Sequence, residues 1–131
     1  MTSPVKTTVT AGAEPPAAVL LRVEVLKKRS DFLLAARARR QGTKGLMLQA
    51  RARGDDDPTV RVGFTCSKKV GNAVARNRAK RRLREVARLI LPQHGRAGWD
   101  YVLIGRAAAT AERPFENLQG DLIYALKQVH K

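Results

Sequence analysis

Between Asn72 and Pro92 the chain carries two stripes at helical spacing, and this pattern restricts the possible folds more than any other feature. Stepping about 100° per residue from Arg76 gathers Lys80, Arg84, Asn77, Arg88 and Arg81 within an arc of about 100°. Ala75, Val86, Ala79, Ile90, Leu83 and Ala87 fall on a separate arc of about 120°. The spacing predicts a helix from about Ala73 to Ile90, closed by Pro92, with an apolar side that must be covered. That side is small and aliphatic, with no aromatic residue, which suits packing on a sheet.

The flanking sequence supplies such a sheet. Ser30-Asp31 reads as a helix start, with Phe32, Leu33, Ala35 and Ala36 as apolar positions and Gln41-Gly42 as a stop. Leu46, Leu48, Ala50 and Ala52 then alternate with Met47, Gln49, Arg51 and Arg53, the period of a half-buried strand. Val60, Val62, Phe64 and Cys66 alternate with Arg61, Gly63 and Thr65 as a second strand. The stretch from Gly54 to Pro58 reads as the turn of a hairpin joining the two. Its Asp55, Asp56 and Asp57 are read as a solvated turn and not as metal ligands, because Asp is a favoured turn residue. Tyr101 to Ile104 is a short continuous apolar run, as in a central strand, and Arg113-Pro114 precedes a last helix from Phe115 to Gln128. The order helix, strand, strand, helix, strand, helix predicts an α/β fold with a sheet covered by helices.

Charge narrows the partner. Lys and Arg number 26 against 11 Asp and Glu, a net charge of +15. Lys6 and Glu14 are the only charged residues before Arg22, so the whole excess lies in residues 22–131. Residues 1–21, rich in Thr, Ala and Pro, read as a flexible tail ahead of one domain over 22–131. Self-repulsion at this charge favours a polyanionic partner, and a phosphate backbone gains further from counterion release. The single Cys66 excludes an internal disulfide and a cysteine zinc site, and its place in the alternation reads as a buried strand thiol. No run approaches the ~20 apolar residues of a membrane span. No continuous apolar stretch follows Lys6, which argues against a secretory signal. A soluble, cytoplasmic protein is expected.

From Ser67 to Arg88 nine basic residues face one acid, Glu85, so this segment holds +8. Arg76, Lys80, Arg84 and Arg88 stand at successive i+4 steps and repel one another, whereas an ordinary solvated face mixes signs. A phosphate ligand would compensate that repulsion. Arg outnumbers Lys six to one between residues 76 and 88, and guanidinium groups recognise phosphate oxygens bidentately. Asn77 can donate and accept, toward a sugar hydroxyl, a base edge or a hydrated metal ion. Asn72 reads as a helix N-cap, and Gly71 permits a positive φ at the turn into the helix. Lys68 and Lys69 extend the charge ahead of it.

The run Ser67-Lys68-Lys69-Val70-Gly71-Asn72-Ala73-Val74-Ala75-Arg76-Asn77-Arg78-Ala79-Lys80-Arg81-Arg82-Leu83-Arg84-Glu85 resembles the signature of the bacterial ribonuclease P protein family. The Arg61-Val62-Gly63-Phe64 strand and the Asp31-Phe32 helix also occupy family-like positions, and the resemblance spans about residues 22–128. It implies a two-layer α/β sandwich of the ribosomal-protein-like kind, with a left-handed β-α-β crossover around the basic helix. It implies a subunit that binds the catalytic RNA and the 5′ leader of precursor tRNA. The RNA would hydrolyse the phosphodiester with Mg2+ bound mainly by that RNA, and the protein would tighten substrate binding and lower the magnesium requirement. No obligate protein partner and no membrane are implied. Arg76, Asn77, Arg78, Lys80, Arg81 and Arg84 match the family's basic motif, and Lys68, Lys69, Asn72 and Arg88 complete the expected RNA-binding set. Phe32 matches an aromatic lining the leader cleft, joined there by Met47 and Arg51. The residues themselves leave Phe32 open between that role and a core position. The chain departs from the pattern at Ala36, where the family often has a second aromatic, and at Met47 and Gln49, where the strand carries none.

Three other functions compete. A general RNA-binding protein would share the charge but does not predict the ordered run from Ser67 to Glu85. An autonomous nuclease needs a carboxylate cluster or a positioned His. His94, read in a Gly-flanked loop, and the penultimate His130 are both read as solvated, without acidic partners. A membrane-surface helix would need a bulkier apolar face. Phosphate contacts alone do not separate DNA from RNA; the family resemblance does.

Overall fold

A computed structural model of the protein describes residues 21–131. In chain order it contains β1 (Val23–Val25), α1 (Arg29–Ala36), β2 (Arg39–Gly42), β3 (Leu46–Ala52), β4 (Val60–Thr65), a 3-10 turn (Lys68–Val70), α2 (Ala73–His94), β5 (Trp99–Gly105), α3 (Ala109–Glu112) and α4 (Phe115–Val129). The strands form one five-stranded sheet in the order β1-β4-β5-β3-β2. β1 and β5 run parallel to β4, while β3 is antiparallel to both β5 and β2. The tail read for residues 1–21 falls, except for Leu21, outside the described residues. Leu21 donates its N–H to the Pro92 carbonyl at 3.0 Å.

The α/β class expected from the sequence is the one adopted. Leu46, Leu48, Ala50, Val60, Val62, Tyr101 and Leu103 point to one face of the sheet, where they are buried under α2 and α4. The apolar stripe of α2 arrives as expected: Ala79, Leu83, Val86, Ala87 and Ile90 are buried, and Leu91 extends the stripe. Leu118, Leu122, Ala125, Leu126 and Val129 of α4 complete this core. On the opposite face α1 packs alone, with Phe32 and Ala35 against Leu26, Val102 and Ile104.

Several local expectations are corrected. β3 and β4 are not a hairpin, because β5 lies between them; the seven residues after Ala52 span two strand spacings, about 10 Å. Both strands alternate in the same way, and alternation does not say which strand is the neighbour. The true hairpin is β2–β3, with Gly42 opposite Met47. The first helix stops at Ala36, and Arg39–Gly42 form an edge strand recognisable only through its pairing with β3. The short β1 was not legible either. α2 runs through Pro92 to His94, so Pro92 does not end it. The proline removes one N–H, but Gly95 still donates to the Leu91 carbonyl at 2.9 Å. Among the described residues no helix is long and apolar enough to cross a membrane.

Candidate nucleic-acid interface

The entry to α2 is built from local hydrogen bonds. Ser67 Oγ accepts from the Lys69 N–H at 3.3 Å, and Gly71 turns the chain with φ of 138°. Asn72 Oδ1 accepts from the Ala75 N–H at 3.0 Å, so its oxygen is committed to the cap. The helix then exposes Asn77, Arg81 and Arg84, with Arg76 and Lys80 half-buried near Cys66 and Arg78 on the flank toward Arg81 and Arg82. Among the described residues no carboxylate pairs with Lys68, Lys69, Arg76, Arg78, Lys80, Arg81 or Arg84. Burial pushes the Cys66 thiol up, only partly opposed by the Gly105 backbone and then by nearby Lys80 and Arg76.

Three arginines of this helix behave differently from the rest. Arg84 lies over the Phe64 ring at 5.8 Å, which fixes its guanidinium on an apolar floor. Arg88 is bidentate on Glu85, with Nε–Oε1 of 3.0 Å, and is the one member of the expected set that is already neutralised. Arg82 donates to the Thr110 and Arg113 carbonyls at 2.9 and 2.6 Å and covers Phe115. It fastens α2 to the α3–α4 junction.

The second candidate region lies across the sheet. Phe32 and Leu33 of α1, with Lys27 and Arg29, face Gln49, Thr65, Val102 and Ile104 around a cleft of about 450 Å³. The Phe32 ring rests on Gly63, where any Cβ would collide with it. Phe32 both packs on the sheet and lines this cleft. Met47 sits beside Ile104 on the same face, and Arg51 stands one row beyond Gln49. The structure does not bring Phe32, Met47 and Arg51 together with the α2 set, because the sheet separates them. Sequence reasoning missed Gln49 and Thr65 as lining residues, although both fell on the polar side of their strand alternations.

Behind the cleft, Asp100 is completely buried and gathers three arginines. Arg61 grips it through two bonds of 2.9 and 3.0 Å, Arg53 donates at 2.8 Å and Arg51 stands 3.6 Å away. Arg53 is 3% exposed, and its remaining donors reach Asp55 and the Asp57, Thr59 and Trp99 carbonyls. Two of the three Asp residues of the turn, Asp55 and Asp57, thus hold an arginine, with Asp57 Oδ1 also accepting from the Thr59 N–H. Asp31 and Asp121 likewise face Arg61 and Arg113. Among the described residues no three His, Cys, Asp or Glu side chains converge to hold a metal ion.

Both histidine readings need correction. His94 is exposed but ends α2 and does not lie in a loop. His130 is half-buried and not freely solvated: its Nε2 meets the Tyr101 hydroxyl at 2.7 Å, and its ring stands edge-on to Trp99 at 4.4 Å. The aromatic pair Trp99 and Tyr101, two residues apart on one strand face, builds this niche. Burial, then Arg96 and Arg39, push His130 down to about 4, while burial pushes Tyr101 up to about 12. Between about 4 and the ordinary 6.5 the unfolded chain binds the extra proton, so stability falls as pH drops through that window. Thermal melts from pH 7 to 4 should show this loss, and His130→Phe should remove its histidine component. An unchanged slope would contradict a half-buried neutral ring.

A five-stranded sheet with a basic helix on one face and an aromatic-lined cleft on the other defines a class: a small, strongly basic α/β protein. The family model described as Ribonuclease P matches residues 20–130. The ribonuclease P protein component of Ruegeria pomeroyi is 67% identical over 109 residues, covering 82% of this chain and 87% of the relative. That of Caulobacter vibrioides is 56% identical over 106 residues, covering 81% and 70%. The RNase P proteins of Staphylococcus aureus and Thermotoga maritima each superpose with a TM-score of 0.65 at 28% identity. Both superpositions cover 79% of this chain, with 93% and 94% of the respective structures. The chain belongs to the bacterial ribonuclease P protein family.

Proposed function

We propose that this chain assists the removal of 5′ leaders from precursor tRNA in the cytoplasm by binding both the catalytic RNA of ribonuclease P and the leader. The observation that carries the reading is the line Arg76–Lys80–Arg84, which repels itself and has no carboxylate partner among the described residues. Phosphates of a folded RNA would neutralise it, and Asn77 beside it would meet a sugar or base edge. The cleft on the other face suits a single strand: Phe32 offers a ring for stacking, Gln49 and Thr65 offer hydrogen bonds, and Lys27 and Arg29 offer charge at the rim. Arg51 adds a cation at one end of that floor. Magnesium ions bound mainly by the RNA supply the hydrolytic chemistry, and the protein contributes no nucleophile.

Phe32→Leu tests the cleft half of this reading. It should weaken binding of leader-bearing substrate to the holoenzyme by about 1–3 kcal/mol, the worth of one stacked base, and leave mature tRNA nearly unaffected. Binding titrations with the two RNAs decide it. Equal losses for both would mean that Phe32 serves the packing of α1 alone.

A further inference from the structure

At the end of α2 farthest from its basic entry lies a cavity of about 300 Å³, lined by His94, Arg96, Ile123, Leu126, Lys127 and His130. Every polar side chain on its wall is a cation or becomes one on protonation, and no carboxylate lines it. α2 and α4 both end here, so the plain account is that these cations only balance two negative helix ends. The hydrogen bonds leave more than that account requires. The last-turn carbonyls of Leu91 and Leu126 accept from Gly95 and His130 N–H groups. Those of Val129 and His130 accept from Arg39 and Arg96 side chains at 2.6 and 3.3 Å. Among the described residues the His94 and Lys127 side chains have no hydrogen-bond or ion-pair partner, although both face the cavity.

His130 is held on the same wall by its own hydrogen bond. The Tyr101 hydroxyl accepts from the Arg96 N–H at 2.9 Å and can then give its own proton to His130 Nε2. A neutral ring in that arrangement carries its hydrogen on Nδ1, which is buried and has no partner. That nitrogen is shut off from solvent and is not itself a contact for a bound anion; it is the ring as a whole that lines the cavity. The ring also sits in positive potential from Arg96 and Arg39, with Lys127 and His94 facing the same space.

We propose that this cavity is a separate anion site that takes a phosphate group of the RNA partner. It rests on the reading that the chain binds RNA, and it adds a contact that neither the basic half of α2 nor the cleft provides. The 22 residues of α2 place it roughly 30 Å from the helix entry, so bound RNA would follow the length of the protein.

The test uses the full chain and Lys127→Gln, with Lys44→Gln as a control of equal charge loss on the exposed β2–β3 turn. Ring C–H signals of His94 and His130 are followed by NMR during titration with inorganic phosphate, against chloride at matched ionic strength. Saturable phosphate shifts are expected in the native protein and in Lys44→Gln, but not in Lys127→Gln. Affinity for a bacterial ribonuclease P RNA is then measured across salt concentrations. Lys127→Gln should lower it roughly tenfold and reduce the salt slope by about 0.7–0.9, more than Lys44→Gln does. Identical phosphate and chloride responses would overturn the site. Phosphate shifts with an unchanged RNA slope would make free phosphate the ligand and overturn the RNA assignment. Precursor cleavage assays run in parallel separate the two readings. Stimulation by the native protein with a native slope in Lys127→Gln sinks only the cavity. Absent stimulation with a reduced slope sinks only the processing role.

Discussion

Asp100→Ala is expected to destabilise the fold by about 3–5 kcal/mol, more than any single change on the exposed face of α2. The substitution removes the carboxylate between Arg53 and Arg61 and strands a guanidinium that is 3% exposed. Arg53 cannot turn to water, because its other donors are held by Asp55 and three backbone carbonyls. Arg51→Ala should cost under about 1 kcal/mol, since that partner stands 3.6 Å away and is 25% exposed. Urea unfolding midpoints of the two variants measure the contrast. Similar small losses for both would show that Asp100 is not the hub of the network.

The second large effect concerns RNA affinity. Arg81→Ala combined with Arg84→Ala should weaken binding to the ribonuclease P RNA by about tenfold or more per lost contact. The slope of log affinity against log salt should flatten by roughly 0.7–0.9 for each phosphate released. Arg82→Ala is the informative control. Its guanidinium is spent on the Thr110 and Arg113 carbonyls, so the change should lower stability while leaving the salt slope in place. Salt titrations of both variants settle the division. An unchanged slope for the double variant would remove the exposed stripe from the interface.

How far the sequence carried the reading follows from how local each feature is. α2 was legible almost in full, because its two stripes, its Asn72 cap and the Gly71 turn lie within one stretch of chain. The sheet order was not, because β5 separates β3 from β4 through pairing that strand alternation does not encode. β1 is a three-residue edge strand and β2 an edge strand with no apolar side chain, both visible only beside their partners. Arginines that build the fold could not be told from those that face outward. Arg53 and Arg82 differ from Arg81 in their burial and in the carbonyls, and for Arg53 the carboxylates, that meet them. Part of the +15 is therefore structural, and Arg61 and Arg113 are likewise answered by Asp100 and Asp121. His130 escaped for a similar reason: its niche joins the end of α4 to Trp99 and Tyr101 of a distant strand.

The most direct test of the processing role is cleavage of a precursor tRNA by a bacterial ribonuclease P RNA at low magnesium, with this protein, without it, and with the protein alone. Cleavage at the mature 5′ end that is stimulated only when both components are present is the expected result. Tight RNA binding without stimulation, or cleavage by the protein alone, would contradict it.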